Sequence, residues 1–248
     1  MAIALSLAAG SSSGPRGTSN LRLSTLRGQP GGGSPGYNGP AVMRGVDQIP
    51  WLYDTVCAAC EAFGLARWRR WLVAGARGRV LDVGCGTGRN LPLLPPGTVA
   101  VGLDPSWHSL RRARRRAPGV PLVVASAEAL PFRDGTFDTV LSGLAFCSVP
   151  DAMLGLLEVR RVLAPRGRLR MLEHVRSMQP WKARLQDRLQ PAWTWVSGGC
   201  HPNRDTERVV EASGFRIEDD GRRAEGNMRR FAAAPRELDP QGETRHGA

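Results

Sequence analysis

With 248 residues and 42% hydrophobic content, the chain is long enough for one α/β domain with accessory pieces around a sizeable core. Five cysteines, an odd number at positions 57, 60, 85, 147 and 200, exclude a small disulfide-stapled secreted module and fit a reducing compartment. The formal charge of +12 comes from 34 basic residues, of which only Lys182 is a lysine, in a Gly-, Ala- and Pro-rich background that a GC-rich genome would impose; no nucleic-acid partner is expected.

Residues 1–42 are rich in Ser, Gly, Pro and Arg and contain no acid, so they are expected to form a disordered extension. Two explanations fit: an organelle transit peptide, or an upstream extension from a misassigned start codon, with Met43 as the true start. The second is preferred, which places the protein in the cytoplasm. The apolar stretch from Ala2 to Ala9 is far short of the roughly 20 residues needed to cross a bilayer, so no transmembrane segment is expected.

Residues 43–77 are read as an N-terminal helical cap, because Trp51, Leu52, Val56, Phe63, Trp68, Trp71 and Leu72 recur at spacings near three and four. Cys57 and Cys60 fall in this apolar stretch without a second pair at zinc spacing and are assigned to the core. Apolar runs at 79–83, 99–103, 120–125, 137–142 and 168–173 then alternate with helix-compatible stretches, the pattern of a parallel sheet with crossover helices.

Leu110, Ala113 and Ala117 form one helix face, with Arg111, Arg112, Arg114, Arg115 and Arg116 as a solvated arginine surface around it. Asp151 is placed as the N-cap of the next helix. A final helix over 205–213 precedes strands at 215–219 and 228–233, and residues 236–248 are expected to form a flexible tail.

The segment Arg79-Val80-Leu81-Asp82-Val83-Gly84-Cys85-Gly86-Thr87-Gly88 is a buried strand running into a glycine-dense turn, where a missing Cβ lets the backbone turn sharply and approach a ligand. The second strand ends in Asp104, 22 residues after Asp82, a spacing suited to an acid that accepts from ribose hydroxyls. A nicotinamide dinucleotide motif would need glycine at 89, where the chain has Arg.

These residues carry a resemblance. Asp82-x-Gly84-Cys85-Gly86-Thr87-Gly88, with Ala127-Glu128-Ala129-Leu130-Pro131-Phe132, Gly135-Thr136-Phe137-Asp138 and Glu158 to Gly167, resembles the class I methyltransferases that use S-adenosylmethionine (SAM), and within them the ubiquinone and menaquinone biosynthesis group. The runs Met171-Leu172-Glu173-His174-Val175 and Gly199-Cys200 resemble the alkyl-thiol methyltransferase branch. That branch often carries a membrane-anchoring N-terminal helix; none is legible here.

The resemblance implies a doubly wound Rossmann-like α/β methyltransferase domain over 78–235, with seven strands and the last antiparallel, and SAM as cofactor. It further implies that Asp82, Gly84, Cys85, Gly86 and Gly88 shape the pocket for the methionine end, that Asp104 holds the ribose, that Ala127 and Glu128 lie beside adenine, and that Ser142 and Gly143 hold the amino-acid moiety. One departure is Ser126, where many relatives have an Asp that accepts from the adenine amino group.

Because SAM carries its own electrophile, the protein has only to bind it and align an acceptor, and no metal is expected. Glu173 and His174, at the carboxyl edge of the fifth strand, are the candidates for acceptor contact or proton removal, with a strand-end hydrogen-bond pair that holds a loop as the alternative. The aromatic insertion at 181–204 is expected to wall an acceptor pocket, with Cys200 as a packing or lining residue beside His201. The expected reaction is methylation of a small molecule, a thiol or an apolar metabolite. Alternatives are C-methylation of a quinone precursor, N-methylation of a phospholipid, or a non-catalytic SAM-binding scaffold. No feature sets the oligomeric state.

Overall fold

The computed structural model describes residues 64–197 and 199–236; the expected extension at 1–42, most of the helical cap, and the tail at 237–248 lie outside them. The elements run α1 (Ala66–Ala74), β1 (Arg79–Val83), a 3-10 turn (Leu91–Leu93), β2 (Val99–Asp104), α2 (Trp107–Arg116), β3 (Leu122–Val124), β4 (Phe137–Gly143), α3 (Ala152–Val162), β5 (Leu163–His174), α4 (Pro180–Ser197), α5 (Thr206–Ala212), β6 (Phe215–Glu225) and β7 (Met228–Pro235).

The strands form one seven-stranded sheet in the order β3-β2-β1-β4-β5-β7-β6. The first five strands are mutually parallel, and β7 runs antiparallel to both β5 and β6. The order reverses at β1, so the tips of β1, β2 and β4 meet where open α/β sheets bind nucleosides.

Side-chain alternation along β1 assigns its two faces. Leu81 and Val83 enter a large core with Leu103, Val140, Leu156, Val159, Met171 and Phe231. Val80 points the other way, into a second core with Trp68, Leu72, Val73, Leu141 and Leu172. Asp82 shares the Val80 side and therefore looks toward α1. That helix is seated by Arg170 of β5, whose Nε donates to the Leu72 carbonyl at 2.8 Å and whose guanidinium lies 4.1 Å from the Trp71 ring centroid.

Three helix starts follow the capping rule. Ser106, Asp151 and Asp205 each accept, through the side chain, from the amide three residues on, at 3.2, 2.9 and 3.3 Å. The strands at 99–103, 120–125, 137–142 and 168–173 are present with shifted ends. The largest shift is in β5, which begins at Leu163: this residue pairs with Phe137 ahead of a register irregularity that absorbs Pro165 and Gly167. The 181–204 insertion is mostly helix α4, and on it Trp181, Leu185, Leu189 and Trp193 recur every four residues and are all exposed.

Candidate active site

The turn after β1 folds as its glycines require. Gly84, Gly86 and Gly88 have φ of +66°, +53° and +78°, backbone that favours glycine. A Cβ on Gly84 would sit 2.3 Å from the Cβ of Ala145, and one on Gly88 would sit 2.8 Å from the Cβ of Ala113, so both are also required by close packing. Gly86 differs, because a Cβ there would meet nothing within 4 Å. Its side of the turn is open, as a ligand cradle requires.

Asp104 closes this cradle from β2. Its Oδ2 accepts from the Gly86 amide at 2.9 Å and its Oδ1 from the Ser106 amide at 2.8 Å, and the residue is 9% exposed. Each carboxylate oxygen keeps lone-pair capacity for a further donor. Burial raises the Asp104 pKa, while the Ser106 and Gly86 amides oppose that rise. The open face at Gly86 and the acid at its rim fit a bound nucleoside with free ribose hydroxyls.

Asp82 lies beneath the turn, fully buried. Asn90 Nδ2 donates to both of its oxygens, at 2.9 and 3.1 Å, and Arg69 of α1 donates to Asn90 Oδ1 at 2.6 Å. Burial pushes the Asp82 pKa up to about 7, against the opposing Asn90 bond and the Arg69 charge. Gly143 belongs to the same group, since a Cβ there would press on Leu72 Cδ2 at 3.1 Å and Asn90 Nδ2 at 3.2 Å.

The arginine face of α2 is not wholly solvated, which corrects the sequence expectation. Arg116 turns back to the glycine turn, donating to the Thr87 carbonyl and, at 2.9 Å, to Thr87 Oγ1. Cys85 also departs from a ligand-facing position: its side chain is buried with Leu110 and Ala113, leaving its backbone as the part that shapes the turn.

Ala127 is part of the large core. The Glu128 carboxylate accepts from Ser126 Oγ at 2.5 Å and from the Asp151 amide at 2.8 Å, so it ties the loop after β3 to the start of α3. Ser126 thus holds the Glu128 side chain in place.

Ser142 and Glu173 form one unit at the tips of β4 and β5. Ser142 Oγ donates to Glu173 Oε1 at 2.6 Å; the amides of Ala145 and Phe146 donate to the same oxygen at 3.2 and 3.1 Å, and that of Cys147 to Oε2 at 3.3 Å. Glu173 has no exposed surface, and burial raises its pKa despite these four donors. Its carboxylate organises the loop after β4, the loop-holding alternative that the sequence left open beside acceptor contact. That loop begins at Leu144, a non-glycine residue at φ +60°, a backbone state rarely retained without surrounding support.

His174 is half-buried at the end of β5, and Cys147 and Cys200 lie beside it. The contact between the Cys147 and Cys200 thiols raises the Cys147 pKa and lowers that of Cys200; burial and Glu173 add to the first effect, His174 and Trp193 to the second. The sequence assigns Cys200 to packing or pocket lining, and nothing in the spacing of 147, 174 and 200 marks them as neighbours. Arg204, at the end of the 181–204 insertion, braces the same loop through the carbonyls of Phe146 and, at 2.7 Å, Val149.

Comparison with known proteins agrees with this geometry. Residues 81–171, from β1 through most of β5, match the family model described as a methyltransferase domain. A human thiol S-methyltransferase is 35% identical over 153 residues, covering 58% of this chain and 63% of its own. A ubiquinone/menaquinone biosynthesis C-methyltransferase of Desulfotalea psychrophila is 37% identical over 139 residues, covering 52% and 56%. The chain spans about three fifths of the length of the curated relatives it matches.

Among solved structures, a SAM-dependent methyltransferase of Thermotoga maritima superposes with a TM-score of 0.54 at 21% identity, covering 68% of this chain and 88% of that one, a likeness of fold. Residues 81–171 are therefore similar to a methyltransferase domain, and the fold around them is the one that SAM-dependent methyltransferases share.

Proposed function

We propose that this protein transfers a methyl group from SAM to a small-molecule thiol in the cytoplasm. The observation that carries the reading is the Gly86–Asp104 pair: an open, left-handed glycine turn hydrogen-bonded to an acid at the tip of the neighbouring strand. In this reading Asp104 accepts from the ribose hydroxyls, and the open face at Gly86 admits the ligand. Gly84 and Gly88 allow the turn to pack, and Asp82, Asn90 and Gly143 back the methionine end. Ala127 borders the adenine pocket, with Glu128 acting through the α3 start it anchors.

When bound, SAM supplies a methyl group on a cationic sulfur, already electrophilic. The protein's residues have then to hold that methyl in line with an acceptor and keep the acceptor ionised. A thiol suits such a site, because its free pKa near 8.5 leaves it partly ionised at neutral pH. Likeness to thiol S-methyltransferases supports this acceptor class, and in this reading the half-buried His174 meets it. Trp193, on the apolar stripe of α4, donates to the Cys200 sulfur and extends the site with apolar surface.

A second reading, C-methylation of a quinone precursor, is favoured by the Desulfotalea relative's comparable identity. The test is isothermal titration of the full chain with SAM, then turnover with a set of small thiols and of demethylated quinone precursors. SAM binding with turnover on thiols alone supports the proposal. Turnover on quinones alone replaces its acceptor, and failure to bind SAM removes it.

A further inference from the structure

Three side chains converge beside the proposed acceptor position without a role in cofactor binding: Cys147 after β4, His174 at the end of β5, and Cys200 between α4 and α5. The ligand atoms, two Sγ and a ring nitrogen, all lie within 4.8 Å of one another. Both cysteines are buried and His174 is half-buried, so the group has one open side.

The backbone holds the three in place. The Cys147 amide is anchored on Glu173, and its carbonyl accepts from the His201 amide at 2.7 Å. The Cys200 carbonyl accepts from Thr194 Oγ1 at 3.0 Å. His174 is fixed by pairing with Met228 across β5 and β7. This is a prearranged group on three separate segments.

We propose that Cys147, His174 and Cys200 bind a zinc ion whose fourth coordination position receives the thiol of the methyl acceptor. Two thiolates and a neutral imidazole match the ligand preference of zinc, and three protein ligands with one vacant position are the arrangement of catalytic rather than structural zinc. Tetrahedral bonds of about 2.0–2.3 Å place such ligand atoms roughly 3.6–3.8 Å apart, within reach of small side-chain rotations from the separations observed.

The acceptor half of this inference rests on the proposed thiol methylation. Coordination deprotonates the acceptor thiol, with the proton leaving to solvent. The acceptor sulfur then forms a bond to the methyl carbon as the sulfonium carbon–sulfur bond breaks, and that electron pair stays on S-adenosylhomocysteine. Zinc keeps its oxidation state throughout.

The test uses cobalt(II) as a visible probe on the full, reduced chain. One ion per chain is expected, with a thiolate-to-cobalt charge-transfer band and the intense visible absorption of a tetrahedral site, both abolished by zinc. Cys147→Ser and Cys200→Ser should lose the band, and His174→Ala should weaken binding by roughly tenfold or more. The double variant Cys57→Ser/Cys60→Ser should retain it, and circular dichroism checks that each variant folds.

Absence of stoichiometric cobalt, or a band that follows Cys57 and Cys60 instead, overturns the site. So does a Cys147–Cys200 disulfide in the isolated protein that, once reduced, takes up no metal. Adding 2-mercaptoethanol as acceptor probe should shift the band; a bound ion blind to the thiol overturns the acceptor half alone. Cobalt binding in a chain that fails to bind SAM would instead remove the methyltransferase reading and leave the metal site standing.

Discussion

The carboxylate of Asp104 receives the amide of Gly86 at 2.9 Å, joining the tip of β2 to the open corner of the turn after β1. One side chain thus both shapes the cradle and borders it. Asp104→Ala is expected to weaken SAM binding by roughly ten- to a hundredfold, the equivalent of about 1.5–3 kcal/mol for a charge-assisted hydrogen bond, with the chain still folded. Titration calorimetry reads this directly, and unchanged affinity would remove the ribose assignment.

Gly84→Ala and Gly86→Ala should separate folding from binding. Both force a left-handed residue to carry a Cβ, at about 1–2 kcal/mol. At Gly84 the new atom also strikes Ala145, so thermal stability should fall well beyond that amount. At Gly86 it meets no protein atom, so the loss should stay near the backbone term while SAM affinity collapses. Equal SAM affinity in wild type and Gly86→Ala would show that the ligand does not lie on that side.

Glu173→Gln tests a positioning role. An amide NH2 replaces one acceptor oxygen facing four donors, so a loss of about 2–4 kcal/mol is expected in urea denaturation. SAM affinity should change less than turnover, because the loop carrying Ala145 to Cys147 loosens. Unaltered stability with lost turnover would return Glu173 to direct chemistry.

Asp82 gives a pH dependence with a defined sign. Its folded pKa of about 7 lies above the ordinary carboxylate value, so the folded state holds a proton that the unfolded chain releases. Asp82 therefore contributes its full stability at low pH and loses it progressively as pH rises from about 4 to about 7, at roughly 1.4 kcal/mol per pH unit. Comparing urea midpoints of wild type and Asp82→Asn across this range should show a steeper decline in the wild type; parallel curves would contradict the assignment.

Arg116→Ala is expected to remove the contact with Thr87 and weaken SAM binding by about 1 kcal/mol without lowering the midpoint of unfolding comparably. Calorimetry on Arg116→Ala and Arg115→Ala separates a specific contact from general loss of positive charge. Equal effects in the two would favour charge alone.

The sequence alone determined what depends on neighbours in the chain. The β1 strand, the three glycines that need left-handed backbone, the acid 22 residues on, and the Asp151 cap are local matters of chain geometry, and each lies where its spacing indicated. Only the tertiary structure decided which side chains meet across the sheet. Glu173 looks like an exposed strand-end acid until four donors from the β4 tip enclose it, and Arg116 looks solvated until α2 packs against the turn. Cys147, His174 and Cys200 are separated by 27 and 26 residues. They become neighbours because parallel strands deliver their carboxyl ends to one edge and Arg204 folds the segment after α4 back onto it.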